Sequence, residues 1–350
     1  MKRLYIGSIN SYSGKSFLTL GLGLNLKDRG LKIGYIKPIG KDPVIHEGRM
    51  VDADALFFQK VLSLQQSPET ISPFIYTIDT VSRVLSGRLK NIKNKVIDTI
   101  TSIKNVDILL IAGTTDIFEG SMFGVSGVRI VQIPKTKAII VESWRGEESI
   151  DDIIAASEIL NQRLAGVVIN RVKKDERDFI EKKVRNFLKR KNIKLFGVIA
   201  EDPLISAVTI KRLVEVLGAR VLCCKERLEE LVENFSIGAM DVNNALKYFR
   251  VTPNKAVITG AHRTDIQMAA LETSTKCIIL TGGLMPNEVI ISRAEEKGVP
   301  LLSVRHDTFH TVDRIESLMG KSRIRDIRRV DHIKSIIKKH VNISSLLKSL

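Results

Sequence analysis

Between Gly7 and Ser16 the chain reads GSINSYSGKS, a run of small residues ending in Gly-Lys-Ser directly before an amphipathic stretch. These types at this spacing suit phosphate binding. Backbone amides curl round the anion, a helix N-terminus adds partial positive charge, a lysine reaches the outer phosphates, and a hydroxyl can ligate Mg²⁺. Ser13 and Gly14 would supply the loop, Lys15 the ammonium and Ser16 the hydroxyl. The strict pattern G-x-x-x-x-G-K-[ST] needs glycine at position 9, where Ile9 stands. The nearest upstream glycine is Gly7, so the loop is longer than standard. Ser13–Ser16 also reads as an ordinary helix start with a small-residue cap, and the context of a first strand-to-helix turn favours the phosphate reading.

Short apolar runs alternate with amphipathic stretches around this loop. Strands are predicted at Arg3–Ser8, Lys32–Ile36, Asp107–Ile111, Ala138–Val141, Leu164–Ile169 and Leu195–Ile199. Helices are predicted at Lys15–Arg29, Ala53–Leu62, Val81–Ile103, Ser149–Asn161 and Asp175–Lys191. Nearly continuous hydrophobic strands alternating with helices imply a mostly parallel α/β sheet flanked by helices. Beyond Glu201-Asp202-Pro203 come a helix (Ile210–Leu217), a strand (Arg220–Cys223) and another helix (Lys225–Asn234). A smaller α/β layer follows, with strands at Ala256–Thr259, Cys277–Thr281 and Leu301–Val304 and helices at Thr264–Glu272 and Asn287–Lys297. The expected domains are residues 1–205 for nucleotide, 206–319 for the smaller layer, and 320–350 as an appended basic helical tail.

Composition narrows the classes. The 350 residues carry 55 Lys plus Arg against 39 Asp plus Glu, and 44% of them are hydrophobic, which excludes disordered and fibrous proteins. No apolar run reaches the roughly 18–20 residues that span a bilayer. No signal peptide is recognisable, so a cytoplasmic location away from membranes is expected. Cys223, Cys224 and Cys277 form no CxxC pair and suggest neither a disulfide framework nor zinc. From Gly320 to Leu350 there are nine Lys/Arg and two Asp. No aromatic residue interleaves them, so the run reads as a solvated helical face before a nucleic-acid surface, with an acidic protein partner also compatible.

The first two hundred residues resemble dethiobiotin synthetase and its relatives, through GSINSYSGKS, GYIKPIG, EGRMVDADALFFQKVLSL, LAGVVINRV and FGVIAEDP. The region Glu201–Leu318 resembles the DRTGG domain, through IGAM, TGAHRTDIQMAALE, LTGG and GVPLLSVRHDTFHT. The order of the two is similar to the N-terminal regulatory half of long-form phosphate acetyltransferase, which also occurs as a stand-alone protein. The resemblance implies a P-loop NTPase-type fold with ATP and Mg²⁺, the cation held by Ser16 and Asp54. It places Lys37 where the synthetase holds its carbamate intermediate, Asn170 at a base-reading position, and a homodimer as the assembly. Lys37 before Pro38 is equally compatible with a surface lysine, and Asp52 or Asp54 with a helix N-cap.

Two departures qualify what the resemblance implies. The third strand of the family ends in Glu-Gly, where this chain has Ala112-Gly113, and the lost carboxylate would weaken metal binding and phosphoryl transfer. Asp116 or Glu119 could substitute from the loop. No diaminopelargonate-binding pattern follows Lys37, so biotin synthesis is not expected. In the DRTGG region Ala261-His262 replaces the usual Gly-Asp. Arg263, Asp265, Thr281, Gly282 and Gly283 are the candidate small-molecule contacts there, although Asp265 also suits a cap and the glycines tight turns. His262, His306 and His310 lack metal-ligand spacing. The expected function is an ATP-binding regulator with slow hydrolysis or none. An ATP-dependent ligase or carboxylase, and a binding module using the basic tail, stand as alternatives. Acetyl transfer is not expected, because the catalytic half of that enzyme lies beyond the DRTGG domain.

Overall fold

The computed structural model describes residues 1–320 and 325–350. Two compact units emerge: Met1–Glu201 with Ile324–Leu350, and Asp202–Arg323.

In unit 1 the strands are β1 (Lys2–Gly7), β2 (Ile33–Ile36), β3 (Ile39–Gly40), β4 (Pro43–His46), β5 (Arg49–Asp52), β6 (Phe74–Ile75), β7 (Ile108–Ala112), β8 (Thr136–Ser143), β9 (Leu164–Val172) and β10 (Leu195–Ala200). Six of them form one sheet in the order β10-β9-β8-β1-β7-β2. Every pairing in it is parallel. Leu4, Ile6, Leu110, Ile139, Val168 and Val198 are at most 1% exposed, so the sheet is covered on both faces, as its continuous hydrophobic strands require. All carboxyl ends of these strands point the same way. The loop after β1 therefore lies at the edge where open α/β sheets bind ligands.

Helix Ala53–Leu62 forms where its periodicity predicts, and Asp52 caps it by accepting from the amides of Asp54 and Ala55. The stretch Val81–Ile103, predicted as one helix, is two: Ile78–Leu85 and Ile92–Ser102. Gly87 (φ 69°) and Asn91 (φ 65°) adopt left-handed backbone between them and stop propagation.

Of the segment predicted as an appended tail, residues 325–350 are built into unit 1, and residues 321–324 lie outside the described residues. Helix Val330–His340 lies along helix Lys15–Asp28, with Ile333 and Ile337 buried. The approach is so close that a Cβ on Gly21 would meet Ile337 Cγ1 at 2.2 Å. Asn25 Nδ2 donates to Lys334 O (2.9 Å), Gly197 forms an antiparallel bridge with Val341, and Asn342 N donates to Phe196 O (2.8 Å). Lys338 and Lys339 of this helix are exposed, whereas Arg325 and Arg329 ahead of it are largely covered.

Unit 2 adds β11 (Val208–Thr209), β12 (Arg220–Val221), β13 (Leu231–Val232), β14 (Asn234–Ile237), β15 (Lys255–Gly260), β16 (Thr275–Thr281) and β17 (Leu301–Ser303). Five strands run in the order β12-β17-β16-β15-β14, parallel except for β12 against β17. The predicted helix Lys225–Asn234 is absent: a single 3₁₀ turn covers Lys225–Arg227. Val232 is then fully buried in β13, pairing with Val208 of β11, so pairing and burial outweigh helical propensity. Helix Val242–Val251, capped by Asp241, lies where no helix was predicted.

Candidate functional site

The loop Ser8–Gly14 turns from β1 into helix Lys15–Asp28, and Gly14 stands at the helix N-cap with φ 101°. A Cβ there would sit 2.2 Å from Asn170 Nδ2, so both conformation and space demand glycine. Ser13 is buried and its Oγ donates to Asn10 O at 3.0 Å. Lys15 folds inward, its Nζ 2.7 Å from Ser8 Oγ and 2.7 Å from Thr115 O. Burial pulls the Lys15 ammonium down to about 8, against the opposing charges of Asp116, Glu119 and Glu142, and nearby Lys41 lowers it further. Ser16 follows in the first turn, half-buried.

Asn170 departs from the position expected of it. It lies inside β9 rather than after it, and its Nδ2 donates to Ser13 O at 3.0 Å. Its amide braces the phosphate loop.

Lys37 follows β2 and is buried. Its Nζ lies 3.0 and 3.1 Å from the two oxygens of Asp52 and 2.6 Å from Asp54 Oδ2. Burial alone would lower its pKa, but Asp54 and Asp52 outweigh that and hold it above the ordinary lysine value. The surface-lysine alternative is thereby excluded, and the ammonium is engaged by both carboxylates. The other oxygen of Asp54 lies 3.0 Å from Arg325 Nε, and Arg325 also pairs with Asp42. Of the two N-cap candidates, Asp52 is the cap.

The residues assigned to Mg²⁺ by resemblance do not make a donor set here. Asp54 spends its oxygens on Lys37 and Arg325, and Ala112 brings no carboxylate. Glu119 pairs with Lys41 and accepts from Thr115 N at 2.7 Å. Burial would raise its pKa, yet the Lys41 hydrogen bond and the Thr115 amide bring it down to about 2. Asp116 accepts from the amides of Phe118 and Glu119. Among the described residues no cluster of three or more His, Cys, Asp or Glu side chains could hold a metal ion.

Two further groups at this edge carried no signal in the sequence. Lys41, just past β3, places Nζ 2.8 Å from Thr115 Oγ1. Glu142, in β8, is fully buried: its Oε1 accepts from Asn10 Nδ2 at 3.3 Å, and its Oε2 has no hydrogen-bond partner among the described residues. Burial, then the charge of Asp152, raises its pKa to about 7. Both became visible only when β8 and the β3 loop were folded beside β1.

In unit 2 the candidate contacts do reach one carboxyl edge, but each already has a partner within the unit. Arg263 Nε and Nη2 each lie 2.9 Å from Asp265, and Nη2 also donates to Met240 O at 2.9 Å. Thr281 Oγ1 is 3.0 Å from Thr308 Oγ1. The amides of Gly282 (φ 90°) and Gly283 (φ 71°) donate to His306 O and Val304 O. These glycines shape a turn whose amides are committed, so no anion nest remains there. Cys223, Cys224 and Cys277 are free thiols. No helix among the described residues is long and apolar enough to cross a membrane.

A mostly parallel α/β unit with a Gly-Lys-Ser loop at its carboxyl edge, joined to a smaller α/β unit, defines a P-loop-type class, and family models agree. One described as AAA domain matches residues 2–233, and one described as DRTGG domain matches residues 212–318. The chain belongs to this AAA-domain family and carries a DRTGG domain after it. More particularly, it is similar to phosphate acetyltransferases. That of Synechocystis is 24% identical over 99% of this chain and 51% of the relative, and that of Nitratidesulfovibrio vulgaris 23% over 98% and 51%. The chain thus spans about half the length of the curated relatives it matches, in their N-terminal regulatory half.

Among solved structures, MinD of Aquifex aeolicus is 20% identical, covers 59% of this chain and 84% of its own, and has a TM-score of 0.35. The CBS and DRTGG domains of Clostridium perfringens pyrophosphatase, complexed with the activator diadenosine tetraphosphate, are 17% identical. They cover 45% of this chain and 82% of their own, with a TM-score of 0.29.

Proposed function

We propose that this chain is a nucleotide-binding regulatory protein in which ATP occupies the phosphate loop of unit 1 and is hydrolysed slowly or not at all. One observation carries the reading. Lys15 is buried at the carboxyl edge with its ammonium pulled down to about 8, beside a loop that only Gly14 can close. An anion there gains a charge-assisted contact and restores the lysine's preference for its charged form.

Slow turnover follows from the chain's own residues. Ala112 leaves the third strand without a carboxylate, and the paired states of Asp54 and Glu119 leave phosphoryl transfer without an anchored cation. The ligase reading is disfavoured because Lys37 is committed to Asp52 and Asp54. The tail-module reading is disfavoured because helix Val330–His340 packs on unit 1. Nucleotide must favour one of two states of the chain to regulate anything, and it can shift them only by its differential affinity. A metabolite contact at Arg263, Asp265 and Thr281–Gly283 belongs to the proposal, and would require those groups to exchange their present partners. A homodimer is carried over from the resemblance and is checked by mass in solution.

The test is calorimetric titration of ATP into the wild type and Lys15→Ala, with phosphate release followed in the same samples. Binding lost in the variant with negligible release supports the regulator. Sustained release revives the ligase, and equal binding in both proteins removes the phosphate-loop reading.

A further inference from the structure

Thr115, in the loop after β7, receives two ammonium groups at once. Its carbonyl accepts from Lys15 Nζ at 2.7 Å and its hydroxyl lies 2.8 Å from Lys41 Nζ. The lysines arrive from different elements, Lys15 from the start of its helix and Lys41 from the end of β3. Neither neighbours the other in sequence, and no spacing motif joins them. Their proximity is felt electrically, since Lys41 pushes Lys15 towards its neutral form.

Lys15 Nζ bonds only the neutral Ser8 Oγ and Thr115 O while Lys41 works against its charge, a cost that an anion between the two lysines removes. Lys41 is free to serve: its side chain is 37% exposed and is tethered by the single carboxylate of Glu119, with the Tyr76 ring 5.6 Å away. Meanwhile Asp54 and Glu119 are spent on Lys37, Arg325 and Lys41, which leaves Asp116, bonded to two backbone amides, as the one candidate carboxylate without a cationic partner among the described residues. A cation of Mg²⁺ type binds through one or two carboxylates plus phosphate oxygens, and to gain a second here it would have to break one of those pairs first.

We propose that Lys15 and Lys41 form a two-ammonium clamp across Thr115 that takes the outer phosphates of a nucleotide or an inorganic polyphosphate without a divalent cation. Two lysines supply the two positive charges that one Mg²⁺ would bring. The clamp rests on the nucleotide reading of the phosphate loop and adds to it the residue and the charge source.

The experiment titrates ATP and, separately, inorganic triphosphate into the full chain, in Mg²⁺ and in EDTA, for the wild type and Lys41→Gln. Circular dichroism confirms that the variant is folded. The wild type should hold both probes with affinities that agree within about threefold between Mg²⁺ and EDTA. Lys41→Gln should weaken both by at least about tenfold in EDTA. A wild type that loses more than about tenfold on chelation overturns the clamp, as does a variant that binds triphosphate as tightly as the wild type. Either outcome leaves nucleotide binding itself standing. If the wild type binds neither probe in either condition, the nucleotide reading falls and the clamp with it. Binding of ATP without triphosphate assigns recognition to the nucleoside and overturns the clamp alone.

Discussion

Lys15 in unit 1 and Lys255 in unit 2 are both buried, and burial pulls both ammonium groups down to about 8. Their surroundings differ in kind. Lys255 opens β15 at the amino edge of its sheet, where Nζ meets Phe249 O (2.8 Å), Thr273 Oγ1 (3.0 Å) and Ser274 O (3.1 Å). Three acceptors match its three donors, and the Phe249 ring lies 5.4 Å off. Lys15 opens a helix at the carboxyl edge, beside a loop of small residues, a second lysine and three carboxylates. A perturbed lysine is therefore no site by itself. The sheet edge it occupies and the donor left without an acceptor, two partners at Lys15 against three at Lys255, separate an anchor from a binding group.

The largest effect separating the two should come from truncating them in turn. Lys15→Ala should weaken ATP by roughly a hundredfold or more while leaving the thermal transition near its wild-type position, read by calorimetry of binding and of unfolding. Lys255→Met should do the reverse. Phe249 O and Ser274 O lose a buried donor, so stability should fall by about 1–3 kcal/mol in denaturant while ATP affinity stays constant. If Lys255→Met also abolished ATP binding, the division between anchor and binding group would fail.

The sheets, their parallel sense and the phosphate loop were legible because each rests on local sequence: buried strands read as continuous hydrophobe, and Gly-Lys-Ser stands in a strand-to-helix turn. What stayed hidden depends on contacts distant in sequence. The docking of helix Val330–His340 left two traces, Gly21 inside a helix and Gly197 inside a strand. A Cβ on the first would strike Ile337, and on the second His340 O at 2.4 Å. An interior glycine costs helix stability, so each invites the question of what approaches it. The sequence read neither that way. Lys41 and Glu142 were beyond reach, since their partners Thr115 and Asn10 stand in loops distant in sequence, and the bond from Asn170 to Ser13 O was hidden for the same reason. Spacing singled out Lys37 but could not show Asp52 and Asp54, the carboxylates that claim it.

A titration sharpens the same comparison at intermediate size. An anion at Lys15 favours the protonated lysine, so ATP affinity should fall as pH rises through about 8, by up to about tenfold per pH unit. Glu142, which ionises near pH 7 beside the loop, acts in the same direction. Lys255 acts on stability with the opposite slope. Its folded pKa lies below the unfolded value of 10.5, so between pH 8 and 10.5 the unfolded chain binds more protons and unfolding becomes harder as pH rises. Lys255→Met should lose its share of that rise, while the pH dependence of ATP binding survives in it. Parallel titrations of ATP affinity and denaturant midpoint across pH 7–10 read both.

The smallest expected effect concerns the second glycine-bearing edge. Arg263 resembles Lys15 in place, following a strand at a carboxyl edge, but differs in what holds it: a bidentate pair with Asp265 and a bond to Met240 O, all near the surface. An exposed pair of this kind contributes little, because water and salt screen it and two side chains lose freedom to form it. Arg263→Ala should leave the denaturant midpoint and the ATP titration indistinguishable from wild type, and inorganic triphosphate should bind with unchanged stoichiometry. A loss of one triphosphate equivalent in the variant would show that Arg263 exchanges Asp265 for an anion, and that this edge binds ligand despite its internal pairing. Unchanged stoichiometry would mean that Asp265 already satisfies the guanidinium. A phosphate group would then have to displace that carboxylate as well as shed its own water, whereas at Lys15 it meets a buried ammonium group whose hydrogen-bond partners, Ser8 Oγ and Thr115 O, are neutral.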